Sequence, residues 1–245
     1  AAEGASFIMS KPYRAIFFDL DGTLLPMDQD AFVKRYFGLL SQYFAAEGFD
    51  PKAVFAAVLD GTRAMIRNDG SRTNEDLFWD VFCKSASLKK DDVYHRFNAF
   101  YDTQFDSSRD ATGENPEARD AVAAAHSAAD LVVLSTNPLF PPAAIRARLS
   151  WIGLAPSDFD FITTYDNSSS CKPNPLYFSQ LLSRFDLAPQ DVLLVGNDVQ
   201  EDACAAKAVG IRTYLVTDCL LTHDLPYDEF SHGSFSDMVR TLKSL

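Results

Sequence analysis

Short runs of branched and aromatic residues recur along the chain, and several of them end at a polar side chain. The runs cover residues 14–19, 131–136, 159–163, 191–196 and 212–217. Continuous apolar runs of this length predict strands that are buried on both faces, as in a parallel sheet. Helical segments are predicted between the later runs and at the end of the chain, over residues 116–129, 142–149, 175–185, 200–209 and 235–245. This alternation predicts a doubly wound α/β fold.

The stretch between the first two predicted strands has a different pattern. Its apolar residues recur at helical spacing, and four predicted helices follow from this at about residues 33–44, 51–67, 73–85 and 89–105. The stretch also holds 15 of the 31 aromatic residues, enough for a small core of its own. We therefore predict an all-helical domain of residues 28–105, inserted into a core domain of residues 1–27 and 106–245.

The charge balance of the 245 residues excludes some partners. There are 34 acidic and 22 basic residues, a formal net charge of −12. Such a surface repels nucleic acids and anionic lipids, so we expect neither as a partner. No apolar run reaches the ~18 residues of a membrane span, and no secretory leader is visible, which favours a cytoplasmic protein. The four cysteines lack metal-ligand spacing and are expected to be reduced, and we expect the native chain to begin at Met9.

Polar groups follow the predicted strands, at the sheet edge where open α/β folds bind ligands. Asp19 and Asp21 follow the first strand and precede Gly22. If the chain turns at this glycine, both carboxylates face one pocket. Neighbouring carboxylates repel each other unless a cation lies between them, and Mg²⁺ takes oxygen ligands. An ordinary surface turn would have the same sequence, so this pair alone decides nothing.

Two further groups suit an anion. Thr136 and Asn137 end the second run, where a hydroxyl and backbone N–H groups can hold phosphate oxygens. Lys172 precedes a proline and a predicted helix, a position from which an ammonium can bind phosphate. Helix caps and solvated lysines explain these residues equally well when each is taken alone.

The last group follows the fourth run. Asp198 and Asp202 lie one helical turn apart, directly after Gly196 and Asn197. This spacing places both carboxylates near the end of the strand. Acidic residues are also favourable at a helix N-terminus for purely structural reasons.

Together the four groups resemble the motifs of the haloacid dehalogenase (HAD) superfamily, most of whose members are phosphatases. The family's D-x-D-G-[TV] motif matches residues 19–23, its strand ending in Thr or Ser matches Thr136, and its K-P-x-P motif matches residues 172–175. The fourth motif, GDxxxD or GDxxxxD, is matched with a change. Asp198 satisfies the shorter spacing to the second acid, and Asn197 stands where the longer spacing has its acid.

The resemblance implies a Rossmann-like core with a helical C1-type cap, and Mg²⁺-dependent hydrolysis of a small-molecule phosphate monoester. Asp19 would attack phosphorus and form an aspartyl-phosphate, and Asp21 would act as general acid and base. Thr136 and Lys172 would hold the phosphate oxygens. The metal would be held by Asp19, the backbone carbonyl of Asp21 and Asp198, with Asp202 and Asn197 in or near its coordination shell.

Residues around the motifs and in the insert are candidates for substrate contacts. Gly22 and Asn137 lie beside the phosphate-binding residues. Arg63 and Arg67 lie near a predicted helix end in the insert and could grip a distal anionic group, although an exposed helix end would look the same. The four histidines have no ligand spacing and receive no role: His95, His126, His223 and His232.

Two alternatives to a phosphatase remain open at this point. One is a β-phosphoglucomutase-like sugar phosphomutase, and the other is a catalytically silent HAD-fold binding protein. Asp21 favours phosphate-ester chemistry, because haloacid dehalogenases usually lack this acid. The family-level expectation for assembly is a monomer or homodimer.

Overall fold

The computed structural model describes residues 11–245. The predicted start at Met9 lies outside this range. Within it, the chain folds as an α/β protein with a helical segment inserted between the first two strands. No helix of residues 11–245 is both long and apolar enough to cross a membrane.

Within the described residues, six parallel strands form one sheet. They are β1 (Tyr13–Phe18), β2 (Ala129–Leu134), β3 (Phe161–Ile162), β4 (Val192–Gly196), β5 (Arg212–Val216) and β6 (Ser231–Gly233). Their order in the sheet is β3-β2-β1-β4-β5-β6, so β1 is a central strand that pairs with β2 and β4. Both faces of β1 are covered, and residues 15–18 are fully buried. Because the strands are parallel, their carboxyl ends share one edge of the sheet.

The predicted strands are present, with two differences. The third strand is only two residues long. The sixth was not predicted, because Ser231–Gly233 is a polar and partly exposed edge strand with no apolar run to reveal it. Apolar patterning detects strands that are buried on both faces and misses such edges.

Five of the α-helices in the described part of the chain surround the sheet. They are α5 (Ala118–Ala128), α6 (Pro142–Trp151), α7 (Leu176–Arg184), α8 (Ala205–Ala208) and α9 (Phe235–Lys243), in the numbering that follows α1–α4 of the insert. The predicted helix over residues 200–209 is divided, because a wide π-helical turn, Val199–Cys204, precedes α8. Such wide turns are common at functional sites.

The insert consists of four helices, namely α1 (Gln29–Ala46), α2 (Pro51–Ile66), α3 (Asn74–Ala86) and α4 (Lys90–Asp102). Each of α1, α2 and α3 begins at a side-chain cap, from Asp28, Asp50 and Thr73 respectively. The two connections to the sheet domain run side by side, since Met27 and Thr112 form an antiparallel bridge.

Aromatic rings join the insert to the sheet domain. In the insert, Phe44 and Phe97 pack together with centroids 4.6 Å apart. Ring packing also crosses from the insert to the sheet domain. The ring centroid of Tyr36 lies 5.5 Å from that of Phe140, and the centroid of Phe105 lies 5.6 Å from that of Trp151 in α6. The buried residues of both parts therefore form one continuous hydrophobic cluster.

Candidate active site

Asp19 lies at the carboxyl end of the central strand and is only 7% exposed. The Nζ of Lys172 donates a hydrogen bond to Asp19 Oδ1 at 2.8 Å, and Thr23 Oγ1 lies 3.3 Å from Asp19 Oδ2. The Asp19 backbone N–H also bonds the carbonyl of Val195 in β4. These contacts hold the carboxylate in one orientation at the sheet edge.

Lys172 bridges two carboxylates. Its Nζ lies 2.8 Å from Asp19 Oδ1 and 2.7 Å from Asp202 Oδ1, and all three side chains are buried. Two carboxylates and one ammonium carry a net charge of −1 in a site from which water is largely excluded. Burial therefore favours uptake of a proton and raises the pKa of Asp19 to about 8, against the opposing effect of Lys172. Burial alone would lower the pKa of Lys172, but Asp19 and Asp202 raise it well above its usual range.

Asp202 is fixed by the turn that follows β4. Its Oδ2 accepts hydrogen bonds from the backbone N–H groups of Asn197 and Asp198, each at 3.1 Å. A Cβ atom on Gly196 would lie 2.3 Å from Asp202 Oδ2, so this close approach requires glycine. The wide turn thus directs Asp202 back toward Lys172.

The side chain of Asn197 is committed to contacts within the protein. Its Oδ1 accepts a hydrogen bond from Thr23 Oγ1 at 2.9 Å, and its Nδ2 donates to the carbonyl of Cys219 at 2.8 Å. Gly22 has a φ of +85°, and a Cβ there would meet Asn197 Nδ2 at 2.3 Å. Gly22 therefore serves both the turn after Asp19 and the packing of Asn197.

Asp198 has a different pair of partners. Its Oδ1 caps the following turn by accepting the N–H groups of Gln200 and Glu201 at 2.8 Å, and its Oδ2 lies 2.8 Å from Nε2 of His223. The hydrogen bond to Asp198 raises the pKa of His223 above its usual value. Because His223 is 43% exposed at its side chain, solvent can reach this pair.

Asn137 links the second and third motifs. Its Oδ1 accepts the backbone N–H of Lys172 at 3.2 Å, and its Nδ2 donates to Glu201 Oε2 at 3.0 Å. Burial raises the pKa of Glu201 to about 7. The backbone carbonyl of Thr136 is fixed by Tyr177, whose hydroxyl donates to it at 3.1 Å. These bonds fix the positions of the segments that follow β2, β3 and β4 relative to one another.

Asp21 pairs with a buried arginine. Arg148 of α6 is fully buried, and its Nη1 donates to Asp21 Oδ2. The same guanidinium lies 4.5 Å from the ring centroid of Phe140, and its Nε donates to the Ala144 carbonyl at 3.2 Å. Asp21 Oδ1 has no hydrogen-bond partner within residues 11–245. One carboxylate oxygen is thus anchored, and the other is buried without a hydrogen-bond partner within these residues.

The motif residues meet around one cavity of 200 Å³, which we call the catalytic cavity. The predicted site residues that line it are Asp19, Asp21, Thr136, Asn137, Asn197, Asp198 and Asp202. Lys172 contacts it through Asp19, and Gly22 lies in the turn behind it. The four motifs predicted from separate parts of the chain are thus brought together.

Arg63 and Arg67 do not reach this cavity. Both lie on the exposed side of α2, where they line a separate surface depression, and Arg63 pairs with Asp60. The buried face of α2 carries Val58, Gly61 and Met65. Residue 63 falls between the last two and therefore points away, so the helical periodicity already argues against the substrate contact predicted from the density of arginines.

Three residues of the site were not predicted. Glu201 and His223 line the catalytic cavity, and Arg148 holds Asp21. Arg148 could have been found, because it falls on the apolar face of α6 together with Ile145 and Leu149. No pattern marks His223, which lies in a loop after β5.

Known proteins resemble this chain at two levels. A family model described as haloacid dehalogenase-like hydrolase matches residues 13–210. The haloacid dehalogenase-like hydrolase domain-containing protein 3 of Xenopus laevis is 36% identical over 58 residues, which are 24% of this chain and 24% of that protein. The match thus spans about a quarter of that relative's length.

Solved structures share the fold at low sequence identity. A 2-haloacid dehalogenase from Pseudomonas syringae pv. Tomato DC3000 superposes with a TM-score of 0.62 at 15% identity, covering 95% of this chain and 99% of that one. A predicted phosphoglycolate phosphatase from Haemophilus somnus 129pt gives a TM-score of 0.56 at 18% identity, with the same coverage. The family model matches most of the chain, and the motif residues meet at the strand ends, so the chain belongs to the haloacid dehalogenase-like hydrolase family.

Proposed function

We propose that the protein hydrolyses a small-molecule phosphate monoester through an aspartyl-phosphate on Asp19. The observation that carries this proposal is the pair of acids at the mouth of one cavity. Asp19 is buried and held by Lys172, whereas Asp21, two residues later, keeps one free carboxylate oxygen. A nucleophile and a separate proton carrier are the two groups that this reaction needs.

The site's donors suit a hard cation. Five carboxylates line the catalytic cavity, from Asp19, Asp21, Asp198, Glu201 and Asp202. Within residues 11–245, no three His, Cys, Asp or Glu side chains are already arranged around a common metal position. The two buried carboxylates at Lys172 outnumber its one positive charge, and burial, reinforced by Asp202, raises the pKa of Asp19. A divalent cation would compensate that charge as a proton does, and Mg²⁺ prefers oxygen ligands.

Asp19, Asp198 and the backbone carbonyl of Asp21 would hold the Mg²⁺, with Asp202 and Asn197 near the shell. Bound there, Mg²⁺ would supply positive charge that lets an anionic phosphate approach the Asp19 carboxylate. Asn197 uses its amide in contacts with Thr23 and Cys219, so its contribution is to orient the turn.

Asp19 would attack phosphorus while the bond from phosphorus to the ester oxygen breaks. Asp21 would give a proton to that oxygen through Oδ1, because Arg148 occupies Oδ2. In the second step a water would lose its proton to Asp21 and attack phosphorus, which frees Asp19 and releases inorganic phosphate. Lys172 would neutralise phosphate oxygens as the charge redistributes.

The direct test is phosphate release from p-nitrophenyl phosphate with Mg²⁺ and with EDTA. We expect turnover only with Mg²⁺, and a beryllofluoride adduct on Asp19. A sugar phosphomutase would interconvert sugar phosphates faster than it releases phosphate, and a binding protein would release none from a broad panel of esters. Chloride release from 2-chloropropionate without metal would instead indicate a dehalogenase.

Lowering the pH should weaken Mg²⁺ binding through His223. Because its pKa is raised by Asp198, His223 becomes protonated as the pH falls through the range above 6.5 and then pairs more strongly with that carboxylate. An exposed pair of this kind is worth about 0.2–1 kcal/mol, or roughly up to five-fold in affinity. Between pH 8 and pH 6, wild type should therefore lose about two- to five-fold more Mg²⁺ affinity than His223→Ala, measured by calorimetric titration.

The exposed His95 on α4 offers a matched control. His95→Ala should keep the wild-type pH dependence. If the Mg²⁺ affinity depends on pH in the same way in wild type and in His223→Ala, then protonated His223 does not compete with Mg²⁺ for Asp198.

Arg63→Ala and Arg67→Ala should have little effect. Both side chains are exposed, and an exposed i,i+3 pair on one helix such as Asp60 with Arg63 contributes about 0.2–0.5 kcal/mol. Each variant should unfold within ~0.5 kcal/mol of wild type in urea and keep kcat/KM within about two-fold. A ten-fold rise in KM would show that these arginines reach the substrate.

A further inference from the structure

A second cavity continues from the catalytic cavity into the helical insert. It has a volume of 270 Å³, just below the roughly 300–1,000 Å³ of clefts that take drug-sized ligands. The two cavities share four lining residues, namely Asp21, Gln29, Leu139 and Phe140. The second cavity therefore begins at the carboxylate that would protonate the leaving oxygen. We call it the insert cavity.

The lining of the insert cavity is predominantly apolar. Nine of its 18 lining residues are aromatic, and Asp21 is the one charged side chain among them. Neither lysine nor arginine lines it within the described part of the chain. Arg148 lies behind Phe140, but its charge is already paired with Asp21. A second phosphate or a carboxylate placed there would therefore lose its hydration without gaining an unpaired cation, which is strongly unfavourable.

The polar groups that remain are few and mostly satisfied. The hydroxyls of Tyr36 and Tyr101 bond each other at 2.9 Å, and Thr62 Oγ1 donates to the Val58 carbonyl at 2.8 Å. The exceptions are Trp79, which is 5% exposed and whose Nε1–H finds no acceptor within residues 11–245, and Gln29 and Asn98, whose exposed amide side chains also line the cavity. A sugar would bury several hydroxyls here against one buried free donor and two amides, which are too few to satisfy all of them.

We infer that the insert cavity receives the leaving group, and that the substrate is the phosphate monoester of an aromatic or otherwise apolar alcohol with no second anionic group. This inference rests on the proposed function, because Asp21 fixes where the ester oxygen lies. With phosphorus at Asp19 and the ester oxygen at Asp21, the rest of the alcohol extends past Leu139 and Phe140 into the aromatic lining. Burial of one ring then supplies binding that a small polar alcohol lacks.

The test compares esters of alcohols with similar basicity, so that intrinsic reactivity does not decide the result. The substrates are 2-phenylethyl phosphate, sn-glycerol 3-phosphate and 2-phosphoglycolate, each with excess Mg²⁺. We expect kcat/KM for 2-phenylethyl phosphate to exceed the other two by at least ~30-fold, the ratio expected for burying one aromatic ring.

Two variants place a cation in the cavity from different helices. Val33 of α1 is 41% exposed, and Leu59 of α2 is half-buried, so an arginine stem can be accommodated at either position. Val33→Arg or Leu59→Arg should lower the kcat/KM ratio of 2-phenylethyl phosphate to 2-phosphoglycolate by about ten-fold or more. Ala56→Arg adds the same charge on the exposed side of α2, outside the cavity, and should leave this ratio within two-fold.

The outcomes separate the two proposals. If 2-phosphoglycolate or sn-glycerol 3-phosphate is preferred, or if the ratio is the same in wild type and both cavity variants, the apolar substrate class is wrong while ester hydrolysis stands. If no ester is hydrolysed and Asp19 forms no beryllofluoride adduct, the proposed function fails and the substrate class fails with it. A ring preference that is lost only in the cavity variants supports both.

Discussion

Asp19→Asn should reduce Mg²⁺-dependent phosphate release by at least ~10⁴-fold, the scale on which loss of a nucleophile acts. Asparagine has nearly the same shape and can still accept a hydrogen bond from Lys172, but its amide does not attack phosphorus at a useful rate. Phosphate release and formation of the hydroxylamine-sensitive phosphoenzyme should therefore disappear together, as followed with a phosphate assay and by intact-protein mass spectrometry.

The same substitution should not destabilise the metal-free protein. The raised pKa of Asp19 means that the folded state disfavours its charge, so ionisation costs stability as the pH rises from the unfolded value toward about 8. Asparagine removes that cost, and the melting temperature in EDTA at pH 7 should equal or exceed that of wild type. Added Mg²⁺ should raise the melting temperature of Asp19→Asn by less than that of wild type, because the variant lacks one proposed metal ligand and a ligand stabilises only the state that binds it.

Asp130→Asn serves as the control for Asp19→Asn. Asp130 is 71% exposed at its side chain and lies at the start of β2, far from the strand ends. This variant should retain wild-type turnover. Turnover above about 1% of wild type in Asp19→Asn would exclude Asp19 as the nucleophile.

Asp21→Asn should lose both activity and stability. Removal of a general acid and base costs ~10²–10⁴-fold in rate. Here the change also leaves the guanidinium of Arg148 without its counter-charge, and Arg148 is fully buried. Breaking a buried ion pair from one side costs about 3–5 kcal/mol, which urea denaturation would measure.

A second substitution separates these two effects. In Asp21→Asn/Arg148→Met the buried charge is gone, so most of the lost stability should return while turnover stays low. Arg148→Met alone should be milder than Asp21→Asn, because the Asp21 side chain is 20% exposed and can be solvated. If Asp21→Asn unfolds within ~0.5 kcal/mol of wild type, the pair with Arg148 contributes nothing to stability.

The sequence allowed us to predict the elements whose residues form a clear hydrophobic pattern. Buried parallel strands appear as apolar runs, so β1, β2, β4 and β5 were located, and the confirmed family follows from the polar residues at their ends. The edge strand β6 has no such run. The pairing of Asp21 with Arg148, 127 residues away, depends on how α6 packs, which local pattern does not encode.

Some residues of the candidate site could likewise be predicted from the sequence, and others could not. Asp19 and Lys172 could be located because the proposed chemistry requires such side chains together at the sheet edge, and the structure places them in contact there. Arg63 and Arg67 were chosen for charge alone, without regard to the face of α2 on which they lie, and they are exposed. His223 reaches Asp198 from a loop, and a loop's course is set by contacts that the sequence alone does not reveal.

The rings that cross from the insert to the sheet domain bear on how the protein unfolds. Tyr36, Phe105, Phe140 and Trp151 pack across the junction, so neither part can lose its structure without exposing aromatic surface of the other. Coupling of this kind makes unfolding cooperative over both parts. Scanning calorimetry should then record a single heat-absorption peak whose calorimetric and van't Hoff enthalpies agree, although the chain crosses between the two parts twice.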